Sequence, residues 1–355
     1  MQKEIGSDFW HCETTGKKNT FFSSLNNMFF MTGRTALDFI INDIKSKKQI
    51  KNVYMPSYCC ESMIVPFLKN DIKIDFYDIK VTENGIKCLW DFNKEADIVY
   101  LIQYFGFEDN SLYEALIKYK EKGCFVIEDI THSLLFNSFS LENADYCFAS
   151  LRKWTGIADG AFATGIEKKE SGKAILDTNE NFVNLRQEAE ILKENYIQGR
   201  SHNKEIYLSK FSEAEDIIDI DYENYSMSEA SFKKILYWDI ENVKKIRREN
   251  AKYLMDNLSG VNNLKCIYNN LSEIDVPLFF PVLIKNGCRD LLRKYLSENG
   301  IYCPIHWQKS DNNYTYGEVS EIYEEELSII CDQRYNTDDM NRIVNTIKKI
   351  MNNIV

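Results

Sequence analysis

Apolar positions along the chain follow two rhythms. Short, nearly continuous apolar runs alternate with stretches in which apolar residues recur every three or four positions. The runs Val53–Ser57, Ile72–Ile79, Asp97–Tyr104, Cys124–Asp129, Tyr146–Leu151 and Ala161–Thr164 read as strands. Those without polar alternation, Asp97–Tyr104 above all, suit strands covered on both faces. Helical spacing follows Gly33 (Leu37, Ile40, Ile41, Ile44), spans Glu61–Lys69, and returns over Ser111–Glu121, where Leu112, Ala115, Leu116 and Tyr119 form one stripe. Strand–helix alternation predicts an α/β domain with a mostly parallel sheet sandwiched by helices, and functional groups at the carboxyl ends of its strands. Residues 167–222 are charged and weakly periodic and predict irregular or helical excursions, with Gln198–Lys204 as an exposed loop. A single long helix is predicted from Ser228 to Leu258. After it come a strand (Leu278–Ile284), a helix (Cys288–Asn299), the segment Ile301–Trp307 and a last helix (Thr337–Met351). The expected organisation is an arm over 1–20, a large domain over 21–235 and a smaller α+β domain over 236–355.

Composition narrows the function classes. With 355 residues, 44% of them hydrophobic, the chain can bury a large core and fill two domains. A net charge of -11 argues against nucleic acid or an anionic membrane as the main partner. No apolar stretch reaches membrane-span length and the first residues lack an apolar leader core, so a cytoplasmic protein is expected. The ten cysteines form no CxxC pair. That predicts reduced thiols and no metal site.

The candidate chemistry centres on Ser150-Leu151-Arg152-Lys153-Trp154-Thr155-Gly156, a short turn between two apolar strands. A lysine buried there would have a lowered pKa and be a nucleophile toward carbonyls, and the serine three residues earlier suits a phosphate. This points to pyridoxal 5'-phosphate held on Lys153. The plainer reading is a solvated Arg-Lys pair on a loop. The Gly33-Arg34-Thr35 turn opens a helix whose free amides suit a phosphate, unless Thr32 is only an N-cap. Asp129 ends a buried strand and needs a cationic partner, which a protonated pyridine nitrogen would be, unless it caps the next helix. His132 lies close enough in sequence to touch the same ring.

In their order, these motifs resemble the DegT/DnrJ/StrS family of sugar aminotransferases, fold-type I pyridoxal phosphate enzymes. Gly33-Arg34-Thr35-Ala36-Leu37 is similar to the family's phosphate turn, Pro56-Ser57-Tyr58 and Phe76-Tyr77-Asp78 to its strand ends, and Glu128-Asp129 with Thr131 and His132 to its Glu-Asp-x-x-Gln/His. Tyr222–Glu229 is similar to Asn-Tyr-Arg-Met-Ser. The resemblance implies Lys153, Asp129 and His132 as catalytic groups and Gly33, Arg34, Thr35, Cys60, Thr131 and Ser150 as further cofactor contacts. It implies Asn224 on the cofactor phosphate of the neighbouring subunit, hence a homodimer with shared sites, and Tyr58, His306 and Trp307 beside the substrate. The implied reaction takes an amino group from glutamate to a keto sugar on a nucleotide, for surface polysaccharide or glycan biosynthesis. Several positions depart from the pattern. Arg34 replaces a threonine, Cys60 stands where an aromatic ring usually stacks, and Ile157-Ala-Asp159-Gly160 replaces Gly-Glu-Gly-Gly. Ser226 replaces an arginine, and Phe148 holds the usual place of the phosphate serine. Another pyridoxal enzyme with a non-sugar substrate and a non-catalytic descendant are the alternatives; an intact Lys153 argues against the dehydratase branch, which has histidine there.

Overall fold

The structure is a computed structural model that describes residues 3–22, 28–136, 143–165, 176–309 and 319–352. In chain order the first half contains β1 (Ile5–Gly6), β2 (Met28–Phe30), α1 (Gly33–Lys47), β3 (Asn52–Pro56), α2 (Glu61–Lys69), β4 (Lys73–Thr82), β5 (Gly85–Leu89), β6 (Ile98–Ile102), α3 (Ser111–Glu121), β7 (Phe125–Asp129), β8 (Tyr146–Ser150), a 3₁₀ turn (Leu151–Lys153) and β9 (Ala161–Thr164). Eight of these strands form one sheet in the order β2-β9-β8-β7-β6-β3-β4-β5. The central strands β8, β7, β6, β3 and β4 pair in parallel, and β9, β2 and β5 add antiparallel edges. Every residue of β6 and β8 is buried, as the continuous apolar runs require. Asp129 and Ser150 are the last residues of the neighbouring strands β7 and β8, so both reach the carboxyl edge of the sheet.

The second half contains α4 (Glu180–Ile197), α5 (Glu205–Ile220), α6 (Glu229–Leu236), α7 (Ile240–Leu258), β10 (Leu264–Cys266), β11 (Phe280–Ile284), α8 (Arg289–Glu298), β12 (Ile301–Tyr302), α9 (Val319–Glu325), β13 (Glu326–Ile329) and α10 (Thr337–Met351). Strands β10, β11 and β13 make a separate antiparallel sheet that α7 and α8 pack against, with α10 lying on both helices. The stretch read as irregular or helical contains the helical pair α4 and α5; its first part, 166–175, lies outside the described residues. The single helix expected from Ser228 to Leu258 is two. Trp238 is buried in the break, and the Asp239 side chain accepts from the amide of Asn242 and caps a new helix. The arm is not a loose extension, since β1 pairs in parallel with β12, Ile5 opposite Ile301.

None of the ten cysteines is in a disulfide. Among the described residues no helix is long and apolar enough to cross a membrane.

Arg247 ties the C-terminal sheet to the turn that carries Lys153. It is fully buried on α7 and lies 4.6 Å over the Trp154 ring. It donates to the carbonyls of Pro277 (3.2 Å) and Leu278 (2.9 Å) and to Gln333 (2.8 Å). Arg247→Ala strands those acceptors and leaves a cavity, at a cost of about 3–5 kcal/mol. Urea unfolding is expected to show a lower midpoint with an unchanged slope. A shift equivalent to under about 1 kcal/mol would show that the clamp is dispensable.

Candidate active site

Lys153 ends the 3₁₀ turn between β8 and β9. In such a turn residues three apart share a side. Leu151 and Trp154 take the inner side and are completely buried, and the Trp154 indole donates to the carbonyl of Thr131 at 2.7 Å. Lys153 is thereby turned outward and is exposed. The burial expected of this lysine is therefore not found; it is presented to open space by a buried frame. That space is two adjoining cavities. The smaller, about 160 Å³, lies over the carboxyl edge of the sheet and is lined by Thr32, Gly33, Cys60, Asp129, His132 and Ser150 among others. The larger, about 810 Å³, lies between the first residues of the chain, the 3₁₀ turn and the C-terminal part. Arg152 and Lys153 line both.

The smaller cavity is lined by two sets of polar groups and by Lys153. At one end the Thr32 side chain caps α1 by accepting from the Thr35 amide at 3.1 Å. The amides of Gly33 and Arg34, the first of the helix, have no intrahelical acceptor and sit at the positive dipole end. Thr32 is thus an N-cap, and its capping leaves these two amides free. A Cβ on Gly33 would stand 3.2 Å from the Ser150 Cβ, so glycine lets the helix start approach the end of β8. The Ser150 hydroxyl makes no hydrogen bond to the described residues, while its amide donates to Thr131 Oγ1 at 3.1 Å. The donor set suits a phosphate.

At the other end Asp129 is buried. Its Oδ2 accepts from the Tyr100 hydroxyl at 2.6 Å and its Oδ1 from the Thr131 amide at 2.8 Å. Burial raises the carboxyl above its ordinary range, and these hydrogen bonds and Lys153 only partly oppose it. A cation beside Asp129 would remove that penalty, which suits a pyridinium. His132 accepts from the Phe105 amide at Nδ1 (3.1 Å), so the proton of the neutral ring sits on Nε2. Burial, with Lys153 nearby, brings its pKa down to about 3. Its ring stacks on Trp307 at 5.4 Å. The residues therefore fit pyridoxal phosphate at both ends.

Other candidates fall elsewhere. Arg34 lines the cavity, but its guanidinium donates to Asp219 (3.0 Å) and the Ile218 carbonyl (3.1 Å) at the end of α5. Thr35 donates to the Tyr222 carbonyl at 2.6 Å and lines neither cavity. The Cys60 sulfur lies 2.8 Å from the Ser62 hydroxyl at the cavity edge. Tyr58 is buried among Tyr104, Trp307 and Tyr323, beneath the site rather than in it. His306 lines the large cavity and Trp307 the small one. Asn224 is exposed, with a φ of 61°, and lines neither. Asp159 is fully buried and accepts from the amide and hydroxyl of Ser228, both at 2.6 Å, anchoring the start of α6. Sequence reasoning missed Tyr100, hidden in an apolar run, although a tyrosine among aliphatic residues one strand from Asp129 was the available signal.

No protein-family model matches the chain, and no curated protein sequence does. Solved structures do. The fold is that of fold-type I aminotransferases, and the structures it matches include several sugar aminotransferases. PseC of Helicobacter pylori, an aminotransferase of pseudoaminic acid biosynthesis, is 13% identical with a TM-score of 0.67, over 99% of each chain. The putative sugar aminotransferase Spr1654 of Streptococcus pneumoniae, in its PLP form, is 11% identical with a TM-score of 0.65, over 97% of this chain and 93% of its own. A DegT DnrJ EryC1 StrS aminotransferase of Brucella abortus is 13% identical with a TM-score of 0.61, over 94% and 88%.

Proposed function

We propose that this chain is a divergent member of the sugar aminotransferases and a pyridoxal phosphate-dependent enzyme that moves an amino group, with glutamate as donor, to a keto sugar carried on a nucleotide. One observation carries the reading: Lys153, Asp129, Ser150 and the start of α1 line the same cavity, and that cavity meets a larger one at Lys153. When bound, pyridoxal phosphate supplies a ring that draws off the electron pair released at the substrate carbon. The α1 amides and the Ser150 hydroxyl bind and orient a phosphate. Asp129, fixed by Tyr100 and Thr131, holds a positive ring nitrogen. Neutral His132 packs against the site and offers its Nε2–H as a donor. The Lys153 amine, at the mouth of both cavities, takes the proton from the donor's α-carbon and returns it to the acceptor side. The large cavity has room for a nucleotide-linked sugar, and its lining carries eight basic against five acidic side chains, a positive balance that suits phosphates. Mixing purified protein with pyridoxal phosphate should produce a visible absorbance band that glutamate bleaches and a nucleotide-linked keto sugar restores. A protein that yields no band at saturating pyridoxal phosphate would overturn the reading.

The exposed Asn224, away from its own cavity, supports a homodimer in which it reaches the partner's phosphate. Mixing Lys153→Ala subunits with Asn224→Ala subunits tests this. If Asn224 acts across the interface, a mixed dimer has one site with both defects and one intact, and it recovers about half of wild-type activity. If Asn224 serves its own subunit, no intact site forms and no recovery follows.

A further inference from the structure

A chain of buried polar groups reaches the large cavity from behind. Glu326 opens β13 and is fully buried, and Ser328, two residues along, lies on the same face of the strand. The Ser328 hydroxyl lies 2.5 Å from Glu326 Oε1 and 2.8 Å from His306 Nδ1. Glu326 Oε2 accepts from the His306 amide at 2.7 Å, which fixes the carboxyl against the histidine's own backbone. The other ring nitrogen, Nε2, has no hydrogen-bond partner among the described residues, and the ring lines the cavity that Lys153 also lines. Phe279, at 4.7 Å between centroids, and the edge-on ring of His132, at 5.7 Å, pack around it.

We propose that Glu326, Ser328 and His306 form a proton relay that decides whether His306 offers a lone pair or an N–H to the substrate cavity, with Glu326 and Ser328 as positioning residues. The serine hydroxyl has one hydrogen, and this couples the two ends. When Glu326 is a carboxylate, that hydrogen goes to Oε1, the oxygen accepts from Nδ1–H, and Nε2 keeps its lone pair. When Oε1 carries a proton it donates to Ser328, Ser328 donates to Nδ1, and the imidazole hydrogen sits on Nε2. Transfer through the relay balances. Nε2 takes a proton from a substrate O–H or N–H, whose electron pair stays on the substrate. Nδ1 passes its proton to Ser328, Ser328 passes its own to Glu326, and the imidazole ends neutral. The reverse sequence delivers a proton, as the second half of an amino transfer requires.

The surroundings allow both states. Burial pushes Glu326 up to about 8, against the hydrogen bonds from Ser328 and the His306 amide and the pull of Arg289. Burial, with His132 and Lys153 nearby, holds His306 well below its ordinary range, so a proton that arrives is passed on. Among the described residues, the other titratable groups facing Glu326 are Tyr58, which burial holds well above neutrality, and Cys303, which it pushes up to about 12.

The role in turnover rests on the function proposed above; the relay does not, and it is read on the full chain without added cofactor. Label histidine with ¹⁵N and assign His306 among the four histidines by the His306→Gln spectrum. As pH rises through about 8, His306 Nε2 should change from a protonated to a lone-pair shift, with no imidazolium signal. In Glu326→Gln the tautomer should not change over that range. If this variant does not fold, Ser328→Ala should show the same pH independence. A wild-type His306 that keeps one tautomer throughout, or a variant that still switches near pH 8, overturns the relay. In the loaded enzyme Glu326→Gln should lower kcat about 10- to 100-fold and remove the limb of its pH profile near 8, with KM for the donor unchanged. A tautomer switch with identical kcat profiles would overturn the positioning role. A switch in a protein that never binds pyridoxal phosphate would leave the relay standing and overturn the function.

Discussion

Lys153→Ala is expected to lower amino transfer by about 10³-fold or more while leaving the fold intact. The side chain is exposed, so thermal unfolding should stay close to that of the wild type. Its frame, Leu151 and Trp154 with the Arg247 clamp, is untouched. The loss should therefore be chemical. A small primary amine such as methylamine should restore part of the rate, because the space the side chain occupied connects to the large cavity. Borohydride reduction of the loaded wild type followed by peptide mapping should label Lys153. A label on another lysine, or a variant with near-normal turnover, would remove Lys153 from its role.

Asp129→Asn should cost about 10²–10³-fold in the half-reaction with the amino donor. The substitution keeps the shape and can keep the bond that Oδ1 accepts from the Thr131 amide, while its Nδ2–H would donate to the Tyr100 hydroxyl in place of the bond now accepted from it, and it removes the charge. Because burial already penalises that charge, the cofactor-free variant should be as stable as the wild type or more so. Lower activity with equal or higher stability separates an electrostatic role from a structural one. Tyr100→Phe should be milder, since it loosens the carboxylate without discharging it. Near-normal turnover of Asp129→Asn would place the electrostatic role elsewhere.

The large sheet was legible in sequence because buried parallel strands are continuous apolar runs, and each run ends where chemistry begins. Asp129 stood out for that reason, and Ser150 by its spacing from Lys153. The 3₁₀ turn was not legible. Its geometry, rather than the apolar runs on either side, decides which side chains face inward, and it turned Lys153 outward. The break at Trp238-Asp239 was masked by apolar spacing that runs on across it; only the capping aspartate marks it. Asp159 looked like a lost glycine motif and is the anchor of α6. Glu326 and Ser328 gave no signal because β13 is short and its partner His306 lies about twenty residues away, joined to it only in three dimensions.

The pairing of β1 with β12 also sets an order of events during synthesis. Ile5 meets Ile301 and Gly6 meets Tyr302, while the neighbouring Glu4, Ser7, Asp8 and Phe9 form one wall of the large cavity. That wall cannot be built until residue 302 has left the ribosome. At about 5–20 residues per second the delay is roughly 15–60 s. Through that interval the large sheet, with Lys153 and Asp129 already in place, can fold and take up its small-molecule partner before the cavity is enclosed. An N-terminal fusion that holds Ile5 and Gly6 away from Ile301 should therefore leave the sheet intact and the large cavity open on one side.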